Sequence, residues 1–153
     1  MFSKYNILLL KYIFFISIFI TLSLPANSEL SVEETIKGRK ALFSKNYSTA
    51  KKVQTFVNKK EFDKAITLMI EMSENYETLI KYFPENSKEG FKTEALPSIW
   101  ENKEEFNNLM TKASDDMVEL ASIIETSDDI SSSFKQLMWG NCKACHSKFR
   151  APH

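Results

Sequence analysis

The chain has 153 residues, a length that suits one domain with a short appendage. Basic and acidic residues balance at 20 each, so there is no cationic excess to neutralise phosphates, and a nucleic-acid partner is excluded. Three glycines and four prolines give too little punctuation for a many-stranded sandwich or barrel, and two cysteines cannot build a disulfide scaffold. The remaining composition, 43% hydrophobic with 12 Phe, supplies a small helical protein with a bulky core.

Residues 1–28 stand apart. Lys4 and Lys11 are the only charges before Glu29, and residues 12–24 form an uncharged apolar run ended by Pro25. Ala26-Asn27-Ser28 then offers small residues at the spacing that signal peptidase reads. The run of 13 residues falls short of the ~20 that span a bilayer as a helix. The pattern is that of a secretory signal peptide cleaved after about Ser28. The expected mature domain, residues 29–153, is then exported, to the periplasm.

From Ser31 onward the apolar residues recur every three or four positions, the period of helices with one buried face. The first stripe is Val32, Ile36, Phe43, Tyr47, Ala50, Val53 and Val57, opened by a Ser31/Glu34 capping box. The second is Phe62, Ile66, Met69, Met72, Tyr76, Leu79 and Phe83, closed by Pro84. The third is Phe106, Met110, Ala113, Met117, Leu120 and Ile124. The fourth begins near Ser127-Asp128 and holds Ile130, Phe134, Leu137 or Met138, Cys142, Cys145 and Phe149. Short links at residues 58–61 and 126–129 force antiparallel neighbours, while residues 83–100 make a longer loop over one end. The expected fold is all-α, an antiparallel four-helix bundle.

The chemistry sits near the end of the fourth helix, in Cys142-Lys143-Ala144-Cys145-His146. C-x-x-C-H is the attachment pattern of c-type haem. Positions i, i+3 and i+4 share a helix face, so two thiols can each bond one porphyrin vinyl group while the adjacent imidazole reaches the iron. A thioredoxin-like dithiol needs an α/β pattern that this chain lacks, and a structural zinc site needs four ligands where the only other His is His153. An export signal followed by this motif fits haem attachment outside the cytoplasm.

With these residues in place the chain resembles the cytochrome c′ family, the class II c-type cytochromes, over about residues 35–150. The resemblance rests on the haem motif with its continuation Ser147-Lys148-Phe149-Arg150, on Gly140 before it, and on Arg39-Lys40-Ala41-Leu42-Phe43 in the first helix. Phe83-Pro84-Glu85-Asn86-Ser87 and Ala95-Leu96-Pro97-Ser98-Ile99-Trp100 are similar to the family's long loop, with Asn86 where Gly is usual. Up-down-up-down bundles of this family are well described.

The resemblance implies one covalent haem c held by Cys142 and Cys145, with His146 as the axial iron ligand. It places Phe43 across the iron, where low-spin relatives carry a Met ligand. Residues 29–68 contain no Met, so no thioether from the first helix reaches the iron. Met69 and Met72 in the second helix are the remaining candidates, against the plain reading of core filler. Arg39 lies on an apolar stripe and needs a partner. A haem propionate and a snorkelling position at the bundle edge are its two readings. Arg150, one turn past His146, faces the proximal side or solvent, and Trp100 and Trp139 read as packing beside the haem.

The expected function is binding of small diatomic gases, nitric oxide and carbon monoxide, at a five-coordinate haem, for scavenging or transport. An apolar distal pocket without a hydrogen-bond donor supports that ligand choice. The alternative is a low-potential periplasmic electron carrier serving a redox partner. No acid–base pair flanks the motif, so no catalytic residue is assigned and an enzyme ranks last. The resemblance also implies a homodimer.

Overall fold

The computed structural model describes residues 30–152, and the signal-peptide segment lies outside the described residues. Four helices form the bundle: α1 (Val32–Asn58), α2 (Phe62–Ile80), α3 (Lys103–Ile123) and a composite α4. The last consists of Ile130–Ser133, a π-helical stretch Phe134–Trp139 and a regular α-helical end Gly140–Phe149. No strand occurs among the described residues, only one bridge between Ala95 and Arg150.

Local chemistry sets the boundaries. Ser31 Oγ accepts from the Glu34 amide at 3.2 Å while the Glu34 carboxylate accepts from the Ser31 amide at 2.9 Å, so the expected capping box starts α1. At the other end Lys60 adopts a left-handed φ of 59°. Its amide reaches Val57 O at 2.9 Å and the Glu61 amide reaches Phe56 O at 2.9 Å. These two bonds are a Schellman closure, and they turn the chain straight into α2.

The core is continuous from α1 to α4. Met69, Met72, Leu79, Phe106, Met110, Met117 and Leu120 are buried at its centre. α2 packs most extensively on α3. A buried Ser73–Ser114 hydroxyl pair at 2.7 Å links them. Two expectations shift in detail. Tyr47, read as an inward residue of α1, is 56% exposed, and Asn46 beside it is buried instead. In α4, Leu137 and Met138 are both buried within the π-helical stretch, so the two alternatives for the fourth stripe both face inward.

The long connection from α2 to α3 is ordered by α1. It contains a 3₁₀ turn, Glu85–Ser87, and a one-turn helix, Ser98–Glu101. Arg39 Nη1 donates to Tyr82 O at 3.2 Å and to Ser87 Oγ at 3.0 Å. Its Nη2 donates to Ser87 O at 3.0 Å and Thr93 Oγ1 at 2.6 Å. Gly38, next to it, lets the loop come close: a Cβ there would lie 2.4 Å from the Tyr82 ring. The chain's end is stitched to the same loop by Leu96 N to Phe149 O at 3.0 Å and Ala151 N to Glu94 O at 2.8 Å. Both links hold the loop over the end of the bundle where the cysteines lie.

Candidate functional site

α1 packs on α2 but not closely on the C-terminal end of α4. Between these two walls lies a cavity of about 650 Å³, within the size range of cofactor pockets. The α1 wall presents Arg39, Phe43, Asn46 and Ala50, spaced three and four residues apart along one face. The opposite wall presents Trp139, Asn141, Cys142, Cys145, His146 and Phe149. Met72 and Tyr76 from α2 and Phe106, Met110 and Ala113 from α3 close the base.

The sequence-derived site residues therefore converge on one cavity. Cys142 and Cys145 are both free thiols, the first half-buried and the second buried. They lie in the regular α-helical end of α4, so they and His146 fall within one turn. His146 sits at the exposed rim. Burial pushes the Cys145 thiol up to about 12, with its neighbour Cys142 adding to the effect. Burial raises Cys142 as well, while a hydrogen bond from the Tyr76 hydroxyl pulls it partly back. Neither thiol is poised as a thiolate nucleophile or redox dithiol.

Arg39 does not snorkel. It is 3% exposed and its four hydrogen bonds run to uncharged oxygens of the loop. Burial lowers its pKa to about 10. The guanidinium also lies 4.6 Å from the centre of the Phe83 ring. A buried cation lining a cavity, satisfied only by neutral acceptors, leaves positive potential for an anionic ligand group. Arg150 lines the cavity too, and its charge is taken up by Glu94, with Nη2 at 2.8 Å and Nε donating at 2.9 Å.

Phe43 is partly buried and meets Phe83 edge-on at 6.4 Å. Phe83 continues onto Phe106 at 4.6 Å, and Phe106 onto Phe149 at 5.5 Å, giving a connected aromatic floor. Trp100 backs this cluster, 6.0 Å from Phe83, and its Nε1 donates to Pro84 O at 3.1 Å. Trp139 lines the cavity and meets Tyr47 at 6.3 Å. Of the two methionines in question, Met72 lines the cavity, whereas Met69 is packed away in the core.

The cavity is less apolar than the sequence suggested. Asn46 and Tyr76 both line it, and the Asn46 amide nitrogen lies against the Tyr76 hydroxyl. Asn46 was legible in principle: Ile36, Arg39, Phe43, Asn46, Ala50, Val53 and Val57 follow a strict three-four spacing that passes through Asn46 rather than Tyr47. Two thiols, one imidazole, a buried guanidinium and an aromatic floor suit a flat, acid-bearing macrocycle fixed at one edge.

Comparison with known proteins agrees. Residues 34–150 match the family described as Cytochrome C′. A cytochrome c′ of Rhodospirillum rubrum is 43% identical over 76 residues, 49% of this chain and 52% of that protein, so the match spans about half its length. A second, from Rhodopseudomonas palustris, is 29% identical over 121 residues, covering 77% of this chain and 82% of that protein. The solved cytochrome c′ structure from Rhodopseudomonas palustris superposes with a TM-score of 0.69 at 28% identity, covering 78% of this chain and 97% of that one. With a family match over most of its length, the four-helix bundle and a C-x-x-C-H turn facing the cavity, the chain belongs to the cytochrome c′ family, whose cofactor is a covalently bound haem c.

Proposed function

We propose that this protein binds small diatomic gases, nitric oxide and carbon monoxide above all, at a haem held between α1 and α4, and that it scavenges or carries nitric oxide after export to the periplasm. The observation that carries the reading is the wall facing His146: α1 offers Phe43 there, and Val32–Asn58 contains no Met, His or Cys. A haem with a single protein ligand supplies an open iron position to a diatomic molecule.

The chain's own residues then have distinct tasks. Cys142 and Cys145 would hold the haem on α4, each through a thioether to one vinyl group. His146, one residue on, would bring its imidazole to the iron. Arg39 and the loop it orders hold the end of the cavity that suits the acidic propionates. Phe43, which lines the α1 wall, would cover the side of the haem away from His146 and yield to an incoming ligand. Arg150, tethered to Glu94, lies on the His146 side. The protein acts without catalytic residues in this reading, and its homodimer follows from the family likeness.

A second reading, an electron carrier for a periplasmic redox partner, is favoured by one observation: Met72 lines the cavity and could bring a thioether to the iron. Titration of the reduced protein with carbon monoxide and nitric oxide separates the two. Saturable binding of one ligand per haem supports gas binding. A six-coordinate haem that takes neither gas, and that opens in Met72→Leu, supports electron transfer.

A further inference from the structure

The balance of basic and acidic residues conceals a segregation by helix. Residues 35–60, all of α1 after its first turn, contain eight Lys or Arg and no Asp or Glu. Residues 130–153, which include α4, contain four Lys or Arg and again no acid. The intervening residues 61–129, with α2 and α3, carry 17 acids against six bases. The two helices that wall the cavity are therefore cationic and the two that form its base are anionic. The molecule is strongly dipolar although its total charge is balanced.

The cationic side is where the cavity opens. Lys40, Ser44, Tyr47 and Lys51 are exposed and recur at four, three and four residues, along one face of α1. The first three line the cavity, and the Lys51 ammonium lies 4.2 Å from the centre of the Tyr47 ring. On the other lip Trp139 lines the cavity, Lys143 is exposed between the two cysteines, and Lys135 borders a smaller cleft with Trp139. Tyr47, 56% exposed, meets Trp139 across the two helices, so the lips carry an aromatic centre flanked by four ammonium groups. Other cations of these walls are answered: Lys45 by Glu71, Lys148 by Glu105 and Arg150 by Glu94. Lys40, Lys51, Lys135 and Lys143 form no ion pair among the described residues.

We propose that the face around Tyr47 and Trp139, ringed by Lys40, Lys51, Lys135 and Lys143, docks an acidic electron-transfer protein over the entrance to the haem cavity. Exposed aromatic rings supply the contact area, and the lysines steer a negatively charged surface onto them. One electron leaves the partner's donor centre and reduces ferric iron to ferrous, with no bond made or broken. The cations encircle an entrance rather than spread over a flat face, which favours a protein bringing its own redox centre over a lipid surface. The inference rests on the haem placement of the proposed function and not on an open iron position.

The test uses the haem-loaded protein with flavodoxin, a small acidic protein, as the probe. Titration calorimetry with oxidised flavodoxin should show a complex at about 0.01 M ionic strength that weakens about tenfold or more at about 0.15 M, where charges are screened beyond about 8 Å. Reduction of the ferric protein by flavodoxin hydroquinone, which becomes the semiquinone, should slow by a similar factor over that range. Lys40→Glu combined with Lys143→Glu should weaken binding and slow reduction about tenfold at low salt. Lys64→Glu combined with Lys81→Glu makes the same change of charge at exposed positions on the α2 side and should alter either by less than about twofold. The haem absorption spectrum should be the same in all three proteins. Absent or salt-independent binding overturns the proposal, and so does an equal effect of the two charge reversals. Preferential binding to phosphatidylglycerol vesicles, or low-salt self-association in place of the flavodoxin complex, overturns it in favour of a membrane or a second copy of the chain. Flavodoxin that docks as stated while carbon monoxide fails to bind supports this inference and refutes the open-iron reading alone.

Discussion

Asn141, the residue immediately before the first cysteine of the haem motif, donates a hydrogen bond of 2.7 Å to the buried carboxylate of Asp116 on α3. The same amide nitrogen donates to Leu137 O, also at 2.7 Å, inside the π-helical stretch of α4. Lys112, one turn away on α3, pairs with the same carboxylate and offsets its buried charge. A π turn shifts the register of everything after it. Asn141 ties the shifted end to α3, and the cysteines follow from that fixed point.

Breaking this tie should loosen the turn that carries the cofactor. Asn141→Ala leaves the Asp116 carboxylate short of one donor and is expected to cost about 1–3 kcal/mol of stability. Asp116→Ala should cost a similar amount, because it strands the Asn141 amide and the Lys112 pairing. Asp116→Asn keeps an acceptor and should recover part of the loss. Denaturant unfolding of the haem-loaded variants checks the order.

Lys60 closes α1 with a left-handed φ of 59°, a conformation that glycine adopts without a Cβ penalty. Lys60→Gly should stabilise the bundle by about 1 kcal/mol, less the greater entropy glycine gives the unfolded chain. The two closing bonds at Val57 and Phe56 are backbone bonds and survive the change. An unfolding midpoint no higher than that of the unaltered protein would show that the turn is not strained.

The thiols give the haem-free chain a pH dependence that the haem-loaded protein lacks. Cys145 is raised to about 12 in the folded state, and Cys142 is raised as well, against about 8.5 for an exposed thiol. A group raised on folding contributes stability that is complete below its unfolded value and is lost as pH climbs through its folded value. The haem-free fold should therefore weaken progressively from about pH 8.5 toward pH 12. Thioether formation removes both ionisations, so the haem-loaded protein should not share this component. Alkylation of Cys145 by iodoacetamide at pH 8 should be slow until denaturant is added.

Phe43 should govern access to the iron. Its ring packs on Phe83 across the cavity floor, and displacing it sacrifices aromatic contact. Phe43→Ala should raise carbon monoxide affinity by about tenfold or more and quicken binding, at some cost in stability. Phe43→Met should supply a thioether and move the haem toward six-coordinate low spin. Stopped-flow binding and the spin-state bands of both variants check these outcomes.

Much of this site is written in local sequence signals. Ser31 with Glu34 marks the start of α1, Pro84 follows the end of α2, and Cys142, Cys145 and His146 define one helical face by spacing alone. What local signals leave undetermined are partners brought together over long separations. Arg39 announces a buried charge, but its acceptors at Tyr82, Ser87 and Thr93 lie more than forty residues away. The π turn at Phe134–Trp139 has no local signal: Leu137 and Met138 are both buried, but consecutive buried pairs such as Asp116 and Met117 also occur in the regular helix α3. Asn46 was hidden by its polarity: an apolar search chose the adjacent tyrosine, while the three-four spacing pointed to the amide.

The measurement that tests the central claim most directly is the resonance Raman spectrum of the reduced haem-loaded protein at neutral pH. A covalently held haem with His146 on one side and only Phe43 on the other should show a five-coordinate, high-spin iron that converts to a six-coordinate form on adding carbon monoxide. A six-coordinate, low-spin iron before any ligand is added would contradict the account.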